Sequence, residues 1–287
     1  MFSEIQQELN GKPFLTNTQK IIPRLAEFLT ASVRASITKE KQAIAFSGGV
    51  DSTLLAHLYK QHSKNYMLYA VGLPKSKDLE QAALVAAKMG FPLKLRIIKH
   101  NEAFDILTDV ATAFKQADIS RNPMDVAIAS VIYAVLLMAQ KDGIKNVLYG
   151  MGADSLFAGF DHHTNYKKEF SQETIQKNLW ESLHHVEDIE IPRDQCIAQF
   201  ANMRLIAPFL NKDLVTYAMH IDPLLKVNEQ EKKIILRQTA VHLGIPKEIA
   251  SNKKTAAQYG TGFTEFIKEQ TKEQGYERSE EFLNGLI

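Results

Sequence analysis

The stretch Ser47-Gly48-Gly49-Val50-Asp51-Ser52-Thr53 combines the residue types in this chain most suited to chemistry. It follows a short apolar run, Ala43-Ile44-Ala45-Phe46, and precedes a segment that reads as a helix. Two adjacent glycines let the backbone turn tightly and bring its N–H groups against an anion without side-chain obstruction. A helix opening at Asp51 or Ser52 aims its positive end at the same point. Ser47, Ser52 and Thr53 add hydroxyl donors. Asp51 would be misplaced in a site built only for anions, but beside a pyrophosphate it makes sense as a Mg2+ ligand. No G-x-x-x-x-G-K-[ST] pattern occurs, so the loop is not one that delivers a γ-phosphate.

Other reactive residue types carry less. Cys196 is the only cysteine and has no matched histidine motif. His162-His163 and His184-His185 suggest metal, but adjacent residues on a helix point about 100° apart. No cysteine or carboxylate frame surrounds them, so they read as surface or polar-lid residues. Trp180 reads as core or cap.

The elements that must hold the loop follow from apolar patterning. Ala43–Phe46, Tyr66–Val71, Leu93–Ile98 and Asn146–Tyr149 are of strand length. Helical segments separate them: Asp78–Met89 with Gly90 placed to end it, and a long helix after Pro123 closed by Gly143. Strand, helix, strand, helix is the pattern of an α/β fold, a parallel sheet with helices on both faces. Ile21–Ile37 reads as an earlier helix interrupted near its start by Pro23. After about Gly159 the alternation stops, and Leu214–His220, Glu229–Leu243 and Phe263–Gln270 read as helices. The expected organisation is an N-terminal helical segment over 1–40, an α/β core over 41–160 and a helical C-terminal part over 161–287. The site is expected in a cleft between the last two.

Composition is that of an ordinary globular protein. The 287 residues are 45% hydrophobic and 23% charged, which excludes wholesale disorder. A net charge of +1 gives no electrostatic case for nucleic acid or an anionic membrane. One cysteine allows no intramolecular disulfide and points to the reducing cytoplasm. The N-terminus has charges where a secretory signal needs an apolar run. The most apolar stretch, Val126–Ala139, is too short to span a bilayer and reads as a buried helix.

The loop matches S-G-G-x-D-S, the pyrophosphate loop of the ATP pyrophosphatases, which attack ATP at the α-phosphate. Further segments resemble the asparagine synthetases. Val71-Gly72-Leu73-Pro74 with Ser76-Lys77-Asp78-Leu79 looks like their strand and helix start. Gly150-Met151-Gly152-Ala153-Asp154-Ser155-Leu156-Phe157-Ala158-Gly159-Phe160 resembles their G-E-G-A-D-E-L-F-G-G-Y. Pro208-Phe209-Leu210-Asn211-Lys212 resembles P-F-L-D-K, and Glu231–Arg237 resembles the E-K-x-x-L-R helix. Lys254 precedes Gly260-Thr261-Gly262 at the distance of the family's essential lysine before G-x-G.

The resemblance implies an adenine nucleotide α-hydrolase-like, Rossmann-like fold, with ATP and Mg2+ as cofactors. By carry-over, Asp51 and Asp154 share Mg2+, and Ser47, Gly48, Gly49, Ser52, Thr53, Gly150 and Gly152 surround the phosphates. Val71 and Gly72 receive the adenine through the backbone, and Arg121 lies near the phosphates. Lys254 stabilises charge developing at the α-phosphate. Such counter-charge is needed because ATP already carries about four negative charges when a carboxylate approaches. Glu190 and Arg193, eighteen and fifteen residues before Pro208, occupy the spacing of an Asp and an Arg around the amino-acid substrate.

Two departures matter. The chain starts Met1-Phe2 where the family places a glutaminase domain with an N-terminal cysteine. Ammonia is then expected from solution or from a separate glutaminase subunit. The family glutamate between the glycines is Met151, and the second acidic residue is Ser155. β-Lactam-forming relatives carry Tyr at the first of these and pair it with a Glu at the position of Glu190. The expected activity is that of an ATP-dependent amidoligase acting on a small carboxylate, aspartate first. Alternatives are an amidoligase or cyclase for another carboxylate and a catalytically reduced ATP-binding subunit. No nucleic acid or membrane partner is expected, and the oligomeric state stays open, a homo-oligomer included.

Overall fold

Buried strands flanked by helices on both sides must be apolar on both faces, as the runs at residues 42–45, 66–72 and 146–148 are, while the run at 93–97 lies at the sheet edge and is largely exposed. In the computed structural model, which describes residues 1–160, 171–252 and 257–287, they form β1 (Gln42–Ala45), β2 (Tyr66–Gly72), β3 (Leu93–Ile97) and β4 (Asn146–Leu148). β5 (Arg204–Ile206), which the patterning did not mark, joins them. All five are parallel, in the order β3-β2-β1-β4-β5. Ile44, Leu68 and Leu148 point into one core cluster, and their neighbours Ala43, Tyr69 and Val147 into the other.

The helices divide between these clusters. α1 (Phe2–Leu9), α2 (Thr18–Ala35), α3 (Val50–His62) and α4 (Lys77–Met89) pack on the first, with α8 (Gln172–His185), α10 (Lys212–His220) and α11 (Ile234–His242). α5 (His100–Gln116), α6 (Pro123–Lys141), α14 (Phe263–Glu273) and α15 (Ser279–Gly285) supply the second. The remaining short helices are α7 (Ala153–Phe157), α9 (Ile191–Phe200), α12 (Lys247–Ala250) and α13 (Ala257–Gly260). Asn122 caps α6 by accepting from Asp125 N, and Gly90, at φ 62°, ends α4 as expected. α6 is longer than its apolar stretch, and by length and composition alone could cross a membrane. Half of that window is buried, against β2, α5, α9 and α14, which is the setting of a core helix.

Two expectations need correction. α2 begins five residues before Pro23 and runs through it rather than being interrupted there. The segment read as helical from Glu229 turns helical only at Ile234. Asn228 Oδ1 accepts from the N–H groups of both Gln230 and Glu231, an Asx turn that competes with helix formation. Lys233, the residue before α11, has φ 58°, in the left-handed region.

The sheet order places the site. The chain runs outward from β1 to β3, then returns to put β4 on the other side of β1. Ligands of open parallel sheets bind beyond the carboxyl ends of the strands where the order reverses. Here that point is flanked by the two segments that follow β1 and β4, Phe46–Gly49 and Tyr149–Gly152.

Candidate active site

The loop after β1 turns tightly at its first glycine. Gly48 has φ 72°, and a Cβ there would lie 2.8 Å from the carbonyl oxygen of Gln81. Gly49 is the N-cap of α3 and offers no side-chain oxygen, so the first N–H groups of this 13-residue helix lack a side-chain cap. Ser52 Oγ accepts from Ser47 N (3.3 Å) and donates to Gly49 O (3.2 Å), tying the two ends of the loop together. Thr53 Oγ1 and Asp51 Oδ1 are buried and have no hydrogen-bond partner. Buried polar atoms are seldom left so, which marks both as groups awaiting a ligand.

The segment after β4 brings up the second carboxylate. Gly150 is close enough to Asp51 that a Cβ would lie 3.4 Å from the Cβ of Asp51. Gly152, at φ 89°, packs where a side chain would strike Leu210 Cδ2 at 2.2 Å. The glycine segment and the Pro208–Lys212 segment therefore fit each other directly. Asn211, in the position of the family aspartate, caps α10 by accepting from Asp213 N and Leu214 N. Asp154 lies in the first turn of α7.

Asp51 and Asp154 are brought together, and a lysine of the Glu231–Arg237 motif, to which the sequence analysis gave no site role, joins them. Lys233 Nζ lies 2.6 Å from Asp51 Oδ2 and 2.7 Å from Asp154 Oδ1. The lysine is buried, and the two carboxylates hold its pKa above the ordinary value against the opposing effect of burial. Asp154 keeps 42% of its side-chain surface accessible, so the pair opens to solvent. The signal for Lys233 was present: a lysine directly before the apolar run Ile234-Ile235-Leu236 has to start close to the core. No group of three or more His, Cys, Asp or Glu poised for a metal occurs among the described residues. Two carboxylates are nevertheless a suitable donor set for Mg2+, a hard cation usually held by one or two carboxylates plus substrate phosphates and water.

The end of β2 meets the C-terminal motif. Leu73 N donates to Thr261 O (2.8 Å), and Ser76 Oγ donates to Gly260 O (2.8 Å). Gly72 O already accepts from Ile98 N, which leaves that carbonyl engaged in the fold. Lys254 and its neighbour Lys253 lie outside the described residues, as do His162 and His163. What precedes that lysine segment is anchored: Arg237 donates to the carbonyls of Lys232, Ala250 and Asn252.

Glu190 and Arg193 sit where α8 passes through a π-helical turn, Val186–Glu190, into α9. Such turns inside helices frequently occur at functional sites. Arg193 is buried, and its guanidinium donates to Asp125 Oδ1 (2.9 Å) and Asp194 Oδ1 (2.7 Å). Both carboxylates raise its pKa, so it stays a cation. Burial pushes the Glu190 carboxyl up to about 7; Arg193 opposes this, while Asp194, Asp154 and Asp125 add to it. Met151 is buried and its Sδ accepts from the Tyr149 hydroxyl (3.0 Å). Burial, with the Asp194 carboxylate alongside, holds that phenol well above its ordinary pKa.

Arg121 is placed elsewhere. Its Nε donates to Asn284 Oδ1 (2.6 Å) in a cleft of about 580 Å³ lined also by Lys115, Asp118 and Glu280. No residue of the phosphate loop lines that cleft. Cys196 donates to Ala113 O (3.4 Å), and burial pushes its thiol pKa up, which suits a structural residue. His184 contacts Gln6 Oε1 (2.9 Å), and Trp180 is buried.

A Methanocaldococcus jannaschii protein named as a glutamine-hydrolysing asparagine synthetase is 30% identical over 299 residues, covering 91% of this chain and 54% of its own length. Asparagine synthetase B of Escherichia coli is 26% identical over 259 residues, covering 84% of this chain and 45% of its own. The chain thus spans about half the length of these curated relatives. Among solved structures, the NMN synthetase of Francisella tularensis aligns over 94% of this chain and 93% of its own, at 13% identity and a TM-score of 0.43. The sequence profile of the asparagine synthase family matches residues 24–205 and 168–284, nearly the whole chain, and the protein belongs to that family.

Proposed function

We propose that this protein is an ATP-dependent carbon–nitrogen ligase that adenylates a small carboxylate, releases pyrophosphate and forms an amide, with aspartate and ammonia as the leading substrates. The observation that carries the reading is the meeting of Asp51 and Asp154 at the strand-order reversal, beside an uncapped helix start and the partnerless Thr53 Oγ1 and Asp51 Oδ1. In this reading the loop N–H groups and hydroxyls of Ser47, Ser52 and Thr53 bind the β- and γ-phosphates, and Val71 and Gly72 border the adenine. Asp51 and Asp154 hold Mg2+, which supplies counter-charge to the pyrophosphate. Lys254 acts at the α-phosphate. Glu190, with a pKa near neutrality, accepts or donates a proton on the acceptor side. The family relatives are named as glutamine-hydrolysing; for this chain we propose ammonia from solution or from a separate glutaminase subunit, in the cytoplasm.

A specific observation favours a second reading, an amidoligase or cyclase for another carboxylate. Arg193, expected around the amino-acid substrate, is already shared between Asp125 and Asp194. Met151 cannot take a proton from an attacking amine. The deciding experiment incubates the protein with ATP, Mg2+, aspartate and ammonium and measures AMP, pyrophosphate and asparagine, with Asp51→Ala as control. Asparagine forming in step with AMP, and lost in the variant, supports the synthetase. Pyrophosphate release that appears with a different carboxylate, and not with aspartate, sinks the aspartate assignment in favour of the second reading.

A further inference from the structure

We infer that the cleft where α5, α6 and α15 meet is a binding site for a small molecule with two carboxylates and one ammonium, the class of the acidic amino acids. No residue of the phosphate loop lines it, and the inference does not depend on the reading of Asp51 and Asp154.

The walls are set by how two helices end and begin. α5 stops in a turn closed by Ile119 N donating to Phe114 O (2.8 Å). Within that turn Asp118 has φ 54°, a left-handed position that glycine usually takes after a helix. Aspartate there brings a carboxylate to the cleft instead. α6 starts from Asn122, whose side chain accepts from Asp125 N (2.9 Å) and donates to the Asp125 carboxylate. The short link between the two helices is therefore fixed at both ends. Across from it, Asn284 Oδ1 of α15 accepts from Arg121 Nε (2.6 Å). That bond orients the guanidinium and leaves both Nη groups without a hydrogen-bond partner among the described residues.

The charges select the ligand. Lys115 and Arg121 line the cleft as cations, Asp118 and Glu280 as anions. Glu280 is paired with Arg278, and nearby Asp125 is engaged by Arg193 and Asn122. Among the described residues, neither Lys115 nor Asp118 has a side-chain partner. What is left is two cationic donors and one carboxylate. A polyphosphate would meet the carboxylates of Asp118 and Glu280, and a simple cation would meet Lys115 and Arg121. A molecule with two carboxylates and one ammonium matches all three free groups. The Arg121 Nη groups form the planar fork that receives a carboxylate bidentately. Lys115 takes the second carboxylate, and Asp118 takes the ammonium. The cleft, of about 580 Å³, has the size usual for small-molecule sites and leaves room for bridging water.

The test is calorimetric titration of the full chain, without nucleotide, with L-aspartate and L-glutamate. Succinate and glutarate serve as the matching dicarboxylates without an amine. The wild type should bind at least one of the amino acids, and bind it more tightly than the dicarboxylate of the same length. Arg121→Met and Lys115→Met each remove a charge-assisted contact, so each should raise that Kd at least about tenfold. Arg121→Lys keeps the charge but loses the fork, and should fall between. Asp118→Asn should abolish the preference for the amine-bearing ligand while leaving binding of the plain dicarboxylate. Lys115 and Asp118 are exposed, so these variants should keep the far-ultraviolet circular dichroism spectrum of the wild type. If Arg121→Met loses that spectrum, Lys115→Met and Asp118→Asn carry the test. No binding of either amino acid at millimolar concentrations overturns the inference. Binding that survives both cation substitutions lies elsewhere, on the acceptor side for example, and overturns it too. So does an Arg121→Met protein that binds the amino acid normally but binds ATP with Mg2+ more weakly, which would assign the arginine to the nucleotide.

Discussion

Replacing Glu190 by glutamine should stabilise the protein by an amount that grows with pH. The Glu190 carboxyl is partly buried and has its pKa raised from 4.5 to about 7, first by burial and then by the charges of Asp194, Asp154 and Asp125, against the opposing pull of Arg193. Each unit of pKa difference between folded and unfolded states is worth about 1.4 kcal/mol, so the shift corresponds to about 3 kcal/mol. The sign follows from proton counting. Between pH 4.5 and 7 the folded protein keeps a proton that the unfolded chain releases, so this group's contribution to stability falls as pH rises through that window. Below pH 4.5 both states are protonated and there is no penalty; above pH 7 the whole penalty applies. Glutamine does not titrate and has nearly the same shape. Arg193 keeps Asp125 and Asp194 as partners, so no cation is stranded by the change. Urea unfolding of both proteins from pH 5 to pH 8.5 measures the difference, and the titration of all other groups cancels between them. The gain should be small at pH 5 and approach about 3 kcal/mol at pH 8. A gain that is constant with pH, or that shrinks as pH rises, refutes the assignment of a buried carboxyl with a raised pKa.

Two further outcomes are expected. Lys226 is completely buried, its ammonium 3.9 Å from Met219 Sδ, and burial lowers its pKa to about 7 despite nearby Asp222. This penalty is fully present below pH 7 and fades as pH climbs toward 10.5, so Lys226→Met should gain up to about 5 kcal/mol at pH 6.5 and much less at pH 9.5. Unfolding curves at the two pH values check it, and a larger gain at the higher pH would contradict it. Gly48→Ala places a Cβ against the Gln81 carbonyl at a φ of 72°, so it should cost about 1 to 3 kcal/mol and abolish ATP binding. Calorimetric titration of ATP with Mg2+ showing wild-type affinity would mean that the loop backbone does not hold the phosphates.

The strands and most helices were legible because burial on both faces requires continuous apolar runs, and Tyr66–Gly72 or Gln42–Ala45 can read as little else. β5 was not legible: Arg204-Leu205-Ile206 is three residues long and opens with an exposed arginine, so only its pairing with β4 makes it a strand. The start of α11 was misread because composition favours a helix across Glu229–Lys233, while the Asn228 side chain captures the N–H groups that would begin it. Within the site, residues that act through local backbone shape could be read from sequence. Gly48 and Gly152 have positive φ and a close approach, and that requirement is written into their identity. Residues that act through distant partners could not. Lys233 meets Asp51 across 182 positions, and Arg193 meets Asp125 across 68. No spacing rule connects such pairs.

That division also separates the two halves of the proposed reaction. The nucleotide side is made of a loop, a helix start and two short segments after parallel strands, so a motif match there carries its geometry with it. The acceptor side depends on which carboxylates surround one guanidinium, and the matching spacing of Glu190 and Arg193 says nothing of Asp125 or Asp194. Arg193 is paired with Asp125 and Asp194, and Glu190 beside it is a carboxyl that burial pushes up to about 7. Protonated, Glu190 leaves the cluster less hostile to an incoming carboxylate; ionised, it favours an ammonium or an attacking amine. If Glu190 lies on the acceptor side as proposed, substrate preference should shift with pH between 6 and 8; competition between an acidic and a neutral acceptor across that range checks it, and a preference that stays constant refutes the proposed role.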